Sequence, residues 1–334
     1  MDQGPSSASE TPYHRPVMVD QVVEIFAAIP DGLVVDATFG GGGHSRALLR
    51  ASPDRSVLAL DRDPDAAAQV PEDPRLRFVV ANFADLEQVV QDLMAEASGD
   101  GATRRADGGA VDGVLFDLGA SSHQLDDAGR GFSYRRSGPL DMRMGPDATR
   151  SAADLVDRLP SGELARIIRR YGEERFASRI AAAIVGHRPF ATTEELADVI
   201  AGAVPAAARR RRHPARKVFQ ALRIAVNDEL SALERGLEAA IRRTRPGGRI
   251  VVIAYHSLED RIVKRRFAAG ASDCECPPDF PVCTCGRAAE LRLLARKGLR
   301  PSPEEVAGNP RSRSAILRAV EVLGPSPDLG GDAA

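Results

Sequence analysis

Residues 40–43 are four consecutive glycines that join an apolar run to a helical one, and this junction restricts the fold more than any other feature of the chain. The run before it, residues 33–37, predicts a buried β-strand, and a helix is expected to begin near Ser45. Glycine permits a tight turn and a close approach of ligand to backbone, while the first turn of the helix presents unpaired N–H groups. The sequence therefore predicts a site for a nucleotide-like ligand at this turn.

The spacing of the glycines narrows the class of ligand. A dinucleotide-binding fingerprint requires G-x-G-x-x-G/A, but the sixth residue is Ser45 counted from Gly40 and Arg46 counted from Gly41. No Lys-Ser or Lys-Thr follows the glycines, so the phosphate-binding loop of nucleotide hydrolases is also missing. A nicotinamide-linked dehydrogenase is therefore disfavoured, and an adenosine ligand without a pyrophosphate remains.

Further apolar runs alternate with helical patterns along the chain, at residues 56–60, 76–80, 111–118 and 249–255. Such runs suit strands covered on both faces, so we expect an α/β fold with a Rossmann-like, mostly parallel sheet and helices on both faces. After residue 125 helical patterns follow one another without a strand, which indicates an inserted all-helical subdomain; Thr193 is the predicted N-cap of one of its helices. The predicted division is tails at 1–11 and 323–334, a core of 12–124 and 218–322, and an insert of 125–217.

Acidic residues end two of the predicted strands. Asp61 lies 21 residues after Gly40 and is placed to accept hydrogen bonds from both hydroxyls of a ribose, whereas Asp63 is better explained as a helix cap before Pro64. Asp117 ends a buried strand at the edge where open α/β sheets bind ligands, with a turn cap as the alternative. We interpret Asp61 as a ribose ligand and Asp117 as a catalytic residue.

Charge gives little direct evidence of a partner. Lys and Arg total 45 against 47 Asp and Glu, a net charge of −2, so any nucleic-acid surface must be local. Residues 199–227 contain no acid and form the best candidate for phosphate contacts, with a solvated helix and loop as the alternative. The basic residues of this window are Arg209, Arg210, Arg211, Arg212, Arg216, Lys217 and Arg223.

Cysteine usage and hydropathy predict a cytoplasmic protein with no membrane segment. The four cysteines fall as Cys274-x-Cys276 and Cys283-x-Cys285. Paired thiols suit zinc, but this spacing is tighter than that of common zinc motifs, so the sequence does not favour a metal site.

Many short strings together resemble the bacterial 16S ribosomal RNA cytosine-N4 methyltransferase family. The strings cover nearly everything between the tails: residues 36–45, 60–64, 116–124, 131–133, 138–144, 171–177, 213–215, 219–224, 226–227, 256–261 and 309–311. The resemblance implies a class I methyltransferase core that uses S-adenosylmethionine, with an inserted helical domain that contacts 16S rRNA. It implies that Gly42, Gly43, His44, Asp61, Phe83, Asp117 and Gln124 contact the cofactor.

The implied reaction is methylation of the N4 amino group of a cytidine in the decoding region of the small ribosomal subunit, with no obligate protein partner. The enzyme must align the amine with the methyl group and accept a hydrogen bond from the amine, a role we assign to Asp117. Many amino methyltransferases carry an Asp/Asn-Pro-Pro-aromatic motif, but here Asp117 is followed by Leu-Gly-Ala. The way in which those enzymes hold the amino group is therefore not implied for this chain.

His256 follows another predicted strand and is the second catalytic candidate, with a structural role as the alternative. Phe83 follows the third strand and either flanks an adenine ring or packs in the core. The pairs Ser122-His123 and His256-Ser257 do not indicate a hydrolase, because sequence neighbours point apart and the G-x-S-x-G elbow is missing. A non-catalytic RNA-binding or ribosome-assembly factor is the alternative function.

Overall fold

The computed structural model describes residues 16–98, 111–209, 213–274, 276 and 285–324. The predicted N-terminal tail lies outside these ranges, and of the predicted C-terminal tail only residues 323 and 324 lie inside. Among the helices of these ranges, none combines the length and apolar character that crossing a bilayer requires.

A single seven-stranded sheet forms the centre of the protein, with strand order β3-β2-β1-β4-β5-β7-β6. The strands are β1 Leu33–Asp36, β2 Ser56–Asp61, β3 Leu76–Val80, β4 Val111–Asp117, β5 Thr244–Ala254, β6 Leu291–Leu293 and β7 Ile316–Val322. The pairs among β1 to β5 are parallel, and β7 pairs antiparallel with both β5 and β6. The predicted mostly parallel α/β sheet is confirmed.

Thirteen α-helices occur in the described ranges. They are α1 Val19–Ala27, α2 Gly43–Ala51, α3 Leu86–Ser98, α4 Ser122–Asp126, α5 Ala152–Arg158, α6 Ser161–Gly172, α7 Ala177–Gly186, α8 Thr193–Ala203, α9 Ala206–Arg209, α10 Ala215–Asn227, α11 Glu229–Arg243, α12 Ser257–Gly270 and α13 Pro303–Gly308. One face of the sheet packs against α1 and α2 and the other against α3, α11 and α12, through two separate hydrophobic clusters. Both faces are therefore covered, which explains the near-continuous apolar runs of the central strands.

The five predicted strands are present, and two further strands were missed. β6 has three residues, too few for a recognisable pattern, and β7 alternates partly buried and buried positions at its start as an antiparallel strand does. β5 begins at Thr244, five residues before the predicted start at residue 249, although continuous pairing with β4 begins only at Arg249, after an irregularity that follows the Val111–Thr244 pair.

One predicted helix cap is wrong by one residue. The side chain of Thr192 accepts the hydrogen bond from the N–H of Glu195, so Thr192 is the N-cap of α8 and Thr193 is its first residue. Thr193 is fully buried, and its hydroxyl accepts from the N–H of Gly138 and donates to the carbonyl of Arg136. The hydroxyl therefore fastens a loop instead of capping the helix.

A third hydrophobic cluster joins α5 to α8 with α10. Its buried members run from Phe132 to Val226, and the predicted boundary at 217/218 falls inside α10. Because α10 packs chiefly on α6, its apolar side chains belong to the helical group and not to the sheet. The division into domains stays a prediction, but the helical cluster extends to the end of α10.

Candidate active site

A cavity of about 320 Å³ opens at the carboxyl ends of β1 and β4. The chain runs from β1 outward to β2 and β3, then returns to β4 on the other side of β1, so the cavity lies where the strand order reverses. Ligands of open α/β sheets bind at this position. The lining includes Gly40, Gly41 and Gly43 of the glycine turn but not Gly42, together with Asp61, Phe83, Asp117 and His256, so the tertiary structure brings together residues predicted separately.

The glycine turn is tied to the end of β2 by Asp61. The Oδ2 atom of Asp61 accepts a hydrogen bond of 2.7 Å from the N–H of Gly40, and its Oδ1 accepts one of 2.9 Å from the N–H of Asp63. Burial raises the pKa of Asp61 to about 6, although these hydrogen bonds lower it. Gly40 and Gly42 have φ of +54° and +70°, the left-handed region that favours glycine.

Asp36 holds the turn from the other side, a role that the sequence analysis missed. It is fully buried at the end of β1, and its Oδ2 accepts a hydrogen bond of 2.6 Å from the hydroxyl of Ser45 in α2. Burial raises the pKa of Asp36, with His44 and Ser45 partly offsetting the effect. Asp36 thus fastens the strand to the helix that follows the glycines.

Asp117 lies at the centre of the lining, with partners on three sides. Its backbone N–H donates to Oγ1 of Thr38 over 2.6 Å, and its Oδ1 accepts a hydrogen bond of 2.7 Å from the hydroxyl of Tyr255. Its Oδ2 is 3.6 Å from Nδ1 of His44, whose Nε2 is 2.9 Å from the carbonyl of Val17. Since a carbonyl only accepts, Nε2 of His44 carries a proton and Nδ1 faces Asp117.

Tyr255 is the second residue that sequence reasoning missed. It directly follows β5, the neighbour of β4, and burial together with the Asp117 carboxylate raises the pKa of Tyr255 well above its usual value. The hydroxyl therefore stays a donor at neutral pH and orients the carboxylate. The sequence offered one signal for this contact, because Tyr255 directly follows the strand that lies next to β4. Asp117, the last residue of β4, pairs in register with Ile253 of β5, two residues before Tyr255.

Phe83 packs in the core and also lines the cavity, so its contact with an adenine ring stays a prediction. Its ring lines the cavity, and it also packs edge-to-face on Phe116, with ring centroids 5.7 Å apart and an interplanar angle of 86°. Gly236 of α11 supports it from behind, because a Cβ there would lie 3.0 Å from the ring. The core thus holds an apolar wall of the cavity in place.

Gln124 lines the cavity, but its amide makes structural contacts. Its Nε2 donates to Oδ2 of Asp63 over 2.7 Å, and its Oε1 accepts from the N–H of Ser121, which caps α4. Arg130 also lies 2.8 Å from Oδ2 of Asp63. Gln124 and Asp63 therefore join α4 to the end of β2, and Asp63 also caps the short helix after it, as predicted.

His256 lines the opposite side of the cavity and begins a buried polar network. Its Nε2 is 2.8 Å from Oε1 of Glu259, and its Nδ1 has no hydrogen-bond partner among the described residues. Burial by itself would raise the pKa of Glu259, but His256, Arg223 and the N–H of Tyr255 outweigh burial and lower it. Glu259 is therefore ionised beside the imidazole.

The same network corrects part of the predicted basic surface. Arg223 is 16% exposed and forms a forked ion pair with Glu229, at 2.8 and 2.9 Å, on the wall of the cavity. Its charge is thus neutralised inside the protein instead of facing a phosphate. Lys217 donates to the carbonyl of Glu173, whereas Arg209 and Arg216 are exposed; residues 210–212 lie outside the described ranges.

Arg311 is a further lining residue that was quoted only as part of a motif. Its guanidinium lies 2.9 and 3.0 Å from the two carboxylate oxygens of Asp126 and contacts the hydroxyl of Ser122. It joins the segment before β7 to α4 at the edge of the cavity.

Comparison with known proteins supports one family. A profile described as the MraW methylase family matches residues 11–323. The protein named ribosomal RNA small subunit methyltransferase H of Heliobacterium modesticaldum is 49% identical over 321 residues, which cover 93% of this chain and 99% of that protein. The proteins of the same name from Symbiobacterium thermophilum and Geobacter sulfurreducens are each 50% identical over 93% of this chain, and over 97% and 99% of their own lengths.

Among solved structures, an rRNA methylase from Streptococcus thermophilus aligns with a TM-score of 0.40 and 11% identity, covering 93% of this chain and 98% of that one.

Proposed function

The chain belongs to the MraW methylase family, and we propose that it methylates 16S ribosomal RNA of the small subunit, using S-adenosylmethionine, at the N4 amino group of a decoding-region cytidine. The relatives carry names for small-subunit rRNA methylation, which supports the class of reaction; the atom and the site rest on the resemblance. The observation that carries the proposal is the convergence of the glycine turn, Asp61 and Asp117 on one cavity. A ribosomal substrate also agrees with the predicted cytoplasmic location.

The cavity offers the groups that an adenosine ligand with a positive charge requires. Asp61 is a half-buried carboxylate that lines the cavity, where it would accept from the diol of a ribose, and Phe83 would supply an apolar wall for a base. Gly42 and Gly43 lead into the first turn of α2, whose N–H groups favour an anionic group such as the carboxylate of an amino acid. Asp117 places a carboxylate where it would stabilise a neighbouring cation.

When bound, S-adenosylmethionine supplies a methyl group that is already activated by the sulfonium charge. Asp117 would accept a hydrogen bond from the target amine and take up the proton that leaves nitrogen as the N–C bond forms and the S–C bond breaks, with the electron pair of that bond left on sulfur. Tyr255 holds the carboxylate in one orientation through its 2.7 Å hydrogen bond. His44 and the carbonyl of Val17 close the cavity behind Asp117.

His256 is proposed to contact the target base from the opposite wall. Its Nδ1 has no hydrogen-bond partner among the described residues, and Glu259 fixes the ring from the other nitrogen. The target base must leave any stack to enter the cavity. Exposed Arg209, the last residue of α9, and exposed Arg216, near the start of α10, are proposed to contact the RNA backbone.

The decisive experiment is methylation of small subunits isolated from a strain that lacks the gene. Mass mapping of the ribosomal RNA, before and after incubation with purified protein and labelled S-adenosylmethionine, identifies the base, the atom and the position together. We expect one methyl group on N4 of one cytidine. A methyl group on another base or atom contradicts the proposal.

Asp117→Asn tests the role of the carboxylate and separates the enzyme from a non-catalytic assembly factor. We expect turnover to fall by about 100-fold or more, as loss of a general base does, while cofactor affinity changes much less. Asp198→Asn on the exposed face of α8 is the matched control and should keep full turnover. Equal turnover of wild type and Asp117→Asn, or no methyl transfer by the wild type, overturns the assignment.

A further inference from the structure

Three cysteines converge beyond the C-terminal end of α12, away from the cavity. The Sγ atoms of Cys274, Cys276 and Cys285 all lie within 4.8 Å of one another, and those of Cys274 and Cys285 are 4.0 Å apart. Cys283 lies outside the described residues. The sequence spacing argued against a metal, but it could not show that the two Cys-x-Cys segments meet.

The sulfur separations indicate what the cluster is built to hold. A disulfide joins its sulfurs at about 2.05 Å, far below the separation seen here. Two thiolates on a tetrahedral zinc ion, each with a Zn–S distance of about 2.3 Å, are about 3.8 Å apart. The Sγ–Sγ distance between Cys274 and Cys285 is within a few tenths of an ångström of this value. The other Sγ–Sγ distances are at most 4.8 Å, so they need to shorten by about 1 Å or less.

The backbone around the cluster supports thiolates. The N–H of Cys276 donates to Sγ of Cys274 over 3.4 Å, the type of contact that orients and stabilises a metal-bound sulfur. Ser272 fixes Cys274 through its hydroxyl, which is 2.5 Å from the Cys274 carbonyl and 3.3 Å from its N–H. Gly286 follows Cys285 with φ +60°, in the left-handed region that favours glycine.

Both ends of the segment are anchored to the core. The N–H of Glu290 donates to the carbonyl of Gly270 over 2.9 Å. The guanidinium of Arg287 donates to the carbonyl of Ala269 over 3.0 Å. Arg266 also pairs with Glu290 at 2.7 Å. An ion bound by the cysteines would therefore close a loop whose base is already fixed, between α12 and β6.

We propose that Cys274, Cys276 and Cys285 bind a structural zinc ion as thiolates, with one further donor completing the tetrahedron. α12 begins at the cavity and has 14 residues, so the cluster lies about 20 Å along the helix from His256. The ion therefore stabilises the segment between α12 and β6 and takes no part in methyl transfer. The proposal is independent of the function proposed above.

Metal analysis of the full chain, purified without a histidine tag under reducing conditions, tests the proposal. We expect about one zinc per chain after dialysis, as a closed structural site retains. Replacing zinc with Co²⁺ should produce the sulfur-to-cobalt charge-transfer absorption that only thiolate ligands give. Wild-type protein that holds no zinc after incubation with zinc, or that shows a disulfide by mass spectrometry without reduction, overturns the proposal.

Cys274→Ser and Cys285→Ser should each retain at least tenfold less zinc per chain than wild type. Asp273→Asn changes an exposed acid beside the cluster, so it is the matched control and should retain as much zinc as wild type. Should a cysteine variant fail to fold, titration of the wild type with a mercurial reagent replaces it. Zinc should then leave in step with thiol modification. Zinc that stays while the thiols are modified, or in both cysteine variants, contradicts the assignment.

Discussion

At the scale of single residues, one buried hydroxyl fixes the carboxylate on which the proposed chemistry depends. Tyr255 donates to Oδ1 of Asp117, and Oδ2 faces His44. A carboxylate that accepts from a fixed donor has fewer orientations to lose when substrate binds. We therefore expect Tyr255 to act on the reaction through Asp117, as a positioning residue.

Tyr255→Phe should lower the turnover number about tenfold, equivalent to about 1.4 kcal/mol, because it removes this one hydrogen bond. The affinity for S-adenosylhomocysteine should change by less than about threefold, since the ring still fills its place. Steady-state methylation kinetics and calorimetry measure the two effects. Tyr171→Phe in α6 is the control, and equal losses in both variants would rule out a specific role.

Asp61 should make cofactor binding depend on pH. Its pKa is about 6 in the folded protein against an ordinary value of 3.8, and only the ionised form accepts fully from two ribose hydroxyls. Affinity for S-adenosylhomocysteine should therefore be about tenfold weaker at pH 5 than at pH 7. Asp61→Asn should abolish this dependence, while Asp54→Asn, before the other end of β2, should keep it. Identical pH profiles for wild type and Asp61→Asn would contradict the assignment.

Asp61 should also make the stability of the folded protein depend on pH, in the opposite direction to cofactor binding: stability should be higher at low pH. Since the folded pKa is raised, the folded protein retains a proton that the unfolded chain loses between pH 4 and 6, and stability falls as pH rises through about 6. At pH 7 the ionised group destabilises the cofactor-free protein by up to roughly 3 kcal/mol. Denaturation of Asp61→Asn at pH 5 and pH 7 should show a smaller decrease than wild type.

At the scale of elements, the glycine turn and α2 form one unit that depends on backbone conformation. Gly42 is the N-cap of α2 with φ +70°, and a Cβ there would lie 2.6 Å from the ring of Phe39. Asp36 and Asp61 hold the turn from β1 and β2 through Ser45 and Gly40. The shape of the ligand site is therefore set by hydrogen bonds between elements as well as by glycine.

Gly42→Ala should lower the free energy of unfolding by at least about 1–2 kcal/mol and weaken cofactor binding, because both the left-handed backbone and the ring contact oppose a Cβ. Gly202→Ala in α8, where a Cβ meets nothing within 4 Å, should be neutral or stabilise by about 0.5–1 kcal/mol. Urea denaturation and calorimetry compare the two. Similar stability of the two variants would show that the turn tolerates a side chain.

At the scale of the whole molecule, a polar junction connects the sheet to the helical cluster. Arg62, just after β2, pairs with Asp147 at 2.6 Å and donates to the carbonyl of Asn227 at the end of α10. The buried side chain of Asn227 accepts from the N–H of Met144 and donates to the carbonyl of Met142. These contacts help to hold α10, which forms part of the cavity wall, against the core.

Asn227→Ala should reduce the free energy of unfolding by about 2–4 kcal/mol, because it leaves the N–H of Met144 and the carbonyl of Met142 unpaired in the interior. Gln88→Ala, on the exposed face of α3, should change it by less than about 0.5 kcal/mol. Chemical denaturation followed by circular dichroism measures both. A loss below 1 kcal/mol for Asn227→Ala would mean that the junction relaxes around the missing amide.

The sequence by itself determined the parts of this protein that depend on local chemistry. Apolar runs predicted the five parallel strands, because burial on both faces leaves no room for polar residues. The glycines fixed the place of the turn, and the strand-end acids Asp61 and Asp117 were identified because the carboxyl ends of parallel strands share an edge. These inferences need only neighbours along the chain and the rules of sheet topology.

Only the tertiary structure decided the direction in which individual side chains point and the contacts that follow from it. Tyr255 meets Asp117 across 138 residues, Arg223 turns inward to Glu229, and two Cys-x-Cys segments bring their sulfurs together. The orientation of a side chain depends on packing against elements that no local pattern reveals, so the predicted phosphate contact of Arg223 was wrong. The residue types indicated the chemistry of the site, but the geometry of the site formed only when the strands came to lie side by side.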